Sequence, residues 1–133
     1  MMIQINLQNK KNRLVFKFKS FFNSYILGLL GELIAFLYLS FKFYLFVSHR
    51  YKNRYGEIDF IFYKKKQIIF IEIKLRKTIE NFENIVSNKQ IEKIKKASQL
   101  FLIKNKIYKQ YLQRYDIIYI CIKPFKIHHI KNI

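Results

Sequence analysis

Carboxylates are the scarce charge in this chain: 8 Asp and Glu stand against 26 Lys and Arg in 133 residues, a formal net charge of +18. Such a balance implies a polyanionic partner, nucleic acid first and anionic lipid second. The chain is also rich in Lys, Ile, Asn, Phe and Tyr, as AT-rich coding produces, so charge supports a reading without carrying one. A single cysteine, Cys121, excludes a disulfide framework and, lying in an apolar run, reads as a small buried hydrophobe. His49, His128 and His129 show no zinc spacing, and the adjacent pair reads as surface. No internal repeat or linker divides the chain, which is long enough for one domain with one core.

Length and apolarity raise a membrane question at "FFNSYILGLLGELIAFLYLSF", residues 21–41. Lys10, Lys11, Arg13, Lys17 and Lys19 precede it, yet Glu32 sits at its centre, where a carboxylate in hydrocarbon is costly. Lys42, Arg50, Lys52 and Arg54 make the far flank equally positive, so no orientation is encoded, and no small-residue cleavage site follows. A buried core helix is the better reading, with a cytoplasmic protein expected and an anchor at 21–41 as the minor alternative.

Residues 1–20 read as a basic arm with a short strand at "RLVFKF", 21–125 as the domain, and 126–133 as a basic tail. Within the domain a helix is expected from about Ser24 to Ser40. Gly28, Glu32, Ala35 and Leu39 mark its inner face, where small residues permit close approach to a sheet. "FYLFVSH" reads as a strand, "EIDFIFY" and "QIIFIEIKLR" as two more joined through "KKK". After a polar stretch at 77–86, Ser87-Asn88-Lys89-Gln90 forms a capping box for a helix to about Lys104, with Ile91, Ile94, Ser98 and Phe101 inward. "YDIIYICI" is a last, central strand that Pro124 ends. The order is α-β-β-β-α-β, an α/β domain.

Three of the eight acids, Glu57, Asp59 and Glu72, fall inside the apolar strands of 55–76. Closing a hairpin about the Lys65–Lys66 bond sets Tyr63 opposite Ile68, Ile61 opposite Phe70, Asp59 opposite Glu72 and Glu57 opposite Lys74. A slip of one residue would destroy the arrangement. Two facing carboxylates repel unless positive charge lies between them. Mg²⁺, which takes oxygen ligands and is often held by two carboxylates plus substrate phosphate, is the natural occupant, with Lys74 beside it. Metal-assisted hydrolysis of a phosphodiester follows as the expected chemistry. The competing reading is a salt-bridge ladder, Glu57 with Lys74 and Glu72 with Arg76.

"G-x-x-G-E-x-x-A" at Gly28, Gly31, Glu32 and Ala35, then "GEIDFI" at 56–61 and "FIEIKLR" at 70–76, resembles the YraN-type bacterial family. "NKQIEKIKKASQLFL" and "RYDIIYI" are similar to its Lys-bearing helix and R-x-D strand, so the resemblance covers about residues 25–122. It implies a restriction-endonuclease-like, PD-(D/E)xK fold, a mixed β-sheet flanked by helices, similar to archaeal Holliday-junction resolvases. It further implies that Asp59 and Glu72 ligate Mg²⁺ or Mn²⁺, that Lys74 is the catalytic lysine, and that Glu32 completes the site. Glu57 matches a family position of unassigned role. Lys89, Lys93 and Arg76 are the candidate nucleic-acid contacts. The expected function is a metal-dependent endonuclease on DNA, more than RNA, with branched DNA among its substrates; the alternative is an inactive nucleic-acid-binding module of the same fold. Similar resolvases act as dimers, so a homodimer is an expectation. No proline precedes Asp59 as the superfamily's name would have it.

Overall fold

The computed structural model describes residues 2–81 and 85–133, with side chains from residue 9 onward. Residues 82–84 of the polar stretch at 77–86 therefore lie outside the described residues. The chain divides into two compact units, one ending at Leu30 and one running Gly31–Ile133.

The first unit is helical: it belongs to α1 (Met2–Phe41), so the strand expected at "RLVFKF" is absent and the segment read as an arm is helix. No proline interrupts residues 1–41, so the backbone hydrogen bonds of a continuous helix are all available there.

In the second unit α1 continues with Gly31, Ala35 and Leu39 buried at a spacing of four. The close approach falls at Gly31, where a Cβ would stand 3.2 Å from Leu75 Cβ and 3.6 Å from Ile73 Cγ2. The helix ends in a left-handed residue, Phe43 (φ 60°), with the Tyr44 amide bonded to the Leu39 carbonyl at 3.1 Å.

The strands β1 (Leu45–Asn53), β2 (Gly56–Lys64), β3 (Gln67–Arg76), β4 (Leu112–Cys121) and β5 (Lys126–Lys131) form one sheet in the order β1-β2-β3-β4-β5. β3 pairs antiparallel with β2 and parallel with β4, which makes the sheet mixed. The parallel step is carried by α2 (Asn88–Lys104) and a 3₁₀ turn (Lys106–Gln110). The expected α/β class and its mixed sheet are what the molecule has, with one strand more: residues read as a tail form β5, paired antiparallel to β4.

Strand alternation sorts the core into two layers. Phe60, Phe62, Ile69 and Ile71 join Ala35 and Leu39 of α1, while Ile61, Ile68 and Phe70 join Ile94, Ala97 and Phe101 of α2. Cys121 is free and buried, as expected. The β2–β3 hairpin turns at Lys65 and Lys66 (φ 49° and 60°), with Tyr63 opposite Ile68 and Ile61 opposite Phe70. Both central residues at positive φ are the mark of a type I′ turn, whose twist matches the strands.

Candidate functional site

The hairpin register is the expected one, but its paired positions run from Lys64↔Gln67 to Phe60↔Ile71 and stop short of the acids. Beyond that point the Ile73 amide donates to Asp59 Oδ2 at 2.7 Å. A carboxylate thus takes the place of a ladder carbonyl, and the strands carry Asp59 and Glu72 together at the end of the pairing. The β2–β3 pairing does not reach Glu57, which pairs in register with Lys52 of β1, and the Lys74 ammonium is on Glu72.

Glu72 is 7% exposed. Its Oε1 accepts from Lys74 Nζ at 2.6 Å and from Gln90 Nε2 at 2.6 Å. Gln90 is the residue expected to close a capping box. Ser87 does cap α2, its Oγ accepting from the Gln90 amide at 3.2 Å, but the Gln90 side chain is spent on Glu72. The salt-bridge ladder does not form: Lys74 is on Glu72, and Arg76 is 3.5 Å from Glu80.

Asp59 carries the electrostatic signature of the site. Burial first, and the Glu72 charge second, push its carboxyl up to about 7, with Glu32 adding to the push. The Ile73 amide and Lys74 pull the other way without prevailing. Neighbouring carboxylates repel unless positive charge lies between them.

Glu32 is differently placed. Arg50 donates to it through Nε and Nη2, the latter at 2.8 Å, and His49 Nε2 lies 2.6 Å from Oε2. Burial alone would raise this carboxyl, yet the bonds from Arg50 and His49 outweigh it and hold the pKa below the usual value. Arg50 reaches it from a left-handed backbone (φ 48°), and His49 is stacked on Phe60 with ring centroids 4.8 Å apart. Such strain on a non-glycine strand residue is uncommon and localised.

A cleft of about 470 Å³ opens over the pair, lined by Glu57, Asp59, Glu72, Ser87, Lys89, Gln90 and Lys93 among others. Of the candidate nucleic-acid contacts, Lys89 and Lys93 are therefore in the cleft with the acids, while Arg76 turns to Glu80. Among the described residues no group of three or more His, Cys, Asp or Glu side chains could hold a metal ion. What fits a divalent cation is the two-carboxylate set of Asp59 and Glu72, in the manner of a magnesium ion that completes its shell with water and substrate oxygens.

Sequence reading missed three partners. Gln90 was assigned only to its cap, and Arg50 reaches Glu32 from a positive φ that no residue pattern announces, with His49 beside it. It also missed a buried network under α1. Asp116, 1% exposed, accepts from Arg114 Nη2 at 2.9 Å and from the Asn132 amide at 3.1 Å, and lies 2.7 Å from His129 Nε2. His129, expected at the surface, has a side chain only 4% exposed. The R-x-D spacing was visible as a motif; strand β5, which delivers His129, was not.

A mixed sheet flanked by helices, with Asp59, Glu72 and Lys74 together in a cleft that Lys89 and Lys93 also line, defines a class: an α/β protein with an acid-floored cleft. The comparisons give the family. Residues 31–120 match the family described as "Uncharacterised protein family UPF0102". A UPF0102 protein of Caldanaerobacter subterraneus subsp. tengcongensis is 38% identical over 119 residues, covering 83% of this chain and 95% of the relative. One from Ehrlichia ruminantium is 36% identical over 91 residues (68% and 70%), and one from Alkaliphilus oremlandii 32% over 111 residues (80% and 95%). The chain belongs to the UPF0102 family, the family of the YraN-type pattern.

Proposed function

We propose that the protein is a Mg²⁺- or Mn²⁺-dependent endonuclease of the PD-(D/E)xK kind, hydrolysing phosphodiester bonds of DNA, branched DNA among them. One observation carries the reading: half-buried Asp59 meets buried Glu72, whose charge helps push the Asp59 carboxyl up, with Lys74 on Glu72, in a cleft that exposed Lys89 and Lys93 also line. A bound divalent cation supplies charge that activates a phosphodiester toward water. Asp59 and Glu72 hold that charge in place. Gln90 fixes the Glu72 carboxylate from the helix side, and the Ile73 amide fixes Asp59. Lys74 stands beside the pair, where its ammonium stabilises negative charge gathering on the phosphate. Lys89 and Lys93 hold flanking phosphates without reading sequence.

A second reading, a binding module that keeps the fold and not the chemistry, is favoured by a separate observation. Glu32, expected to complete the site, is committed to Arg50 and His49. The test is incubation with labelled Holliday junction, flap, duplex and single-stranded DNA, with Mg²⁺, Mn²⁺ or EDTA, beside Glu72→Ala and Lys74→Ala. The nuclease reading expects metal-dependent cleavage that both variants lose while still binding DNA. Binding without cleavage on every substrate and metal establishes the module instead.

A further inference from the structure

Cations crowd one end of the sheet without acids to match. At the close of β2, Lys64 Nζ lies 4.4 Å from the centre of the Tyr44 ring and donates to the Lys42 carbonyl at 2.5 Å. The Arg114 guanidinium is 5.9 Å from the same ring centre and donates to the Tyr44 hydroxyl at 3.0 Å. Partial desolvation first, and then the charges of Lys65, Lys131, Arg114 and Lys42, hold the Lys64 ammonium below its ordinary pKa. The segments that meet here, 42–46, 62–68, 112–116 and 126–133, contain one acid, Asp116. Its carboxylate is buried and already accepts from Arg114 and the Asn132 amide, with His129 against it. Like charges held together repel, and an anion among them removes the repulsion.

Beside the cluster stands an apolar ring. Phe43, between Lys42 and Tyr44, is 84% exposed and left-handed (φ 60°), a costly posture for a bulky side chain in water. The end of the sheet therefore suits a ligand that brings phosphates and flat apolar groups together. A single strand of nucleic acid does so, its backbone tracking the lysines while a base stacks on the ring. An anionic bilayer would meet Phe43 too, but as a diffuse layer of headgroups that attracts side chains projecting into it. Lys64 is half-buried, and its ammonium is fixed on the Tyr44 ring and the Lys42 carbonyl instead of reaching outward. Charge at a fixed position suits a discrete phosphate. The acid cleft is elsewhere: Lys64 alternates with Phe60 and Phe62 on the α1 side of the sheet, whereas residues of α2 line the cleft. Along β2, residues 59 to 64 place about 17 Å of strand between Asp59 and Lys64.

We propose that Lys42, Lys64, Lys65 and Lys131, with Phe43, form a second nucleic-acid site that takes a single strand. The inference does not depend on cleavage at the cleft. The test is fluorescence anisotropy in EDTA with a labelled oligothymidylate of about twenty nucleotides. The full-length protein carries Lys89→Ala and Lys93→Ala, so the cleft's own lysines do not contribute. Lys65→Gln with Lys131→Gln, both exposed side chains, should weaken binding and lower the log–log salt slope by roughly 1.4, about 0.7 for each phosphate. Phe43→Ala should weaken binding at least about fivefold while the thermal transition stays in place. An unchanged slope in the lysine variant, or unchanged affinity in Phe43→Ala, overturns the proposal. So does loss of flotation with phosphatidylglycerol-containing vesicles in these variants while oligothymidylate binding is retained, which would make the surface a membrane contact.

Discussion

With its carboxyl pushed up to about 7 by burial and by the Glu72 charge, Asp59 keeps a proton in the native state that it has lost in the unfolded chain between pH 3.8 and about 7. Its contribution to stability is therefore complete below about pH 3.8 and is lost as pH rises through about 7, at no more than ~1.4 kcal/mol per pH unit. Urea denaturation across that range should show stability falling with pH, and Asp59→Asn should flatten the fall. Asp116 works in the opposite sense. Burial would raise its carboxyl, but the bonds from His129, Arg114 and the Asn132 amide hold it below 3.8. Its contribution is present above pH 3.8 and disappears as pH drops through the lowered native value. Asp116→Ala strands the Arg114 guanidinium, 15% exposed, without its carboxylate and should cost about 3–5 kcal/mol in the same denaturation experiment.

At the scale of elements, the β2–β3 hairpin was the most legible part of the chain. Period-two alternation in "EIDFIFY" and "QIIFIEIKLR" fixes which residues face each helix, and only one register keeps both faces apolar. The turn itself is poorly written: Lys65 and Lys66 hold left-handed conformations that suit Asn and Gly better. Lys65→Asn with Lys66→Gly should raise stability by about 1 kcal/mol, read as a higher melting temperature. Gly31→Val should do the reverse, by about 1–3 kcal/mol, because its side chain would have to enter the space held by Leu75 and Ile73. The helical periodicity of 24–40 was also legible, though its inner line proved to be Gly31, Ala35 and Leu39, with Glu32 on the flank. Residues 1–20 misled because "RLVFKF" alternates over so few residues that helix and strand patterns overlap. The "KIHHIK" of β5 misled because its flanking charges resemble a tail, and its pairing with β4 is a tertiary event.

At the scale of the whole molecule, an excess of 18 positive charges is spread along the chain, and Lys89 and Lys93 bring part of it to the cleft. The approach of Asp59 and Glu72 was readable because the hairpin register, continued past its last paired residues, sets them on one face; Lys74 was expected opposite Glu57 and is on Glu72 instead. The commitment of Glu32 to Arg50 and His49 was not readable, because Arg50 holds a left-handed backbone inside a strand. Nucleic-acid affinity should fall steeply with salt, and Lys89→Ala with Lys93→Ala should reduce the log–log slope by roughly 2 if each lysine holds one phosphate. Whether Asp59 and Glu72 form a cation site is read most directly by calorimetric titration of Mn²⁺ into the protein. One cation per chain is expected, lost in Asp59→Asn and Glu72→Gln. Its affinity should drop about tenfold per unit of pH below 7, since the cation displaces the Asp59 proton. Saturable binding that survives both substitutions, or no binding at neutral pH, would contradict it.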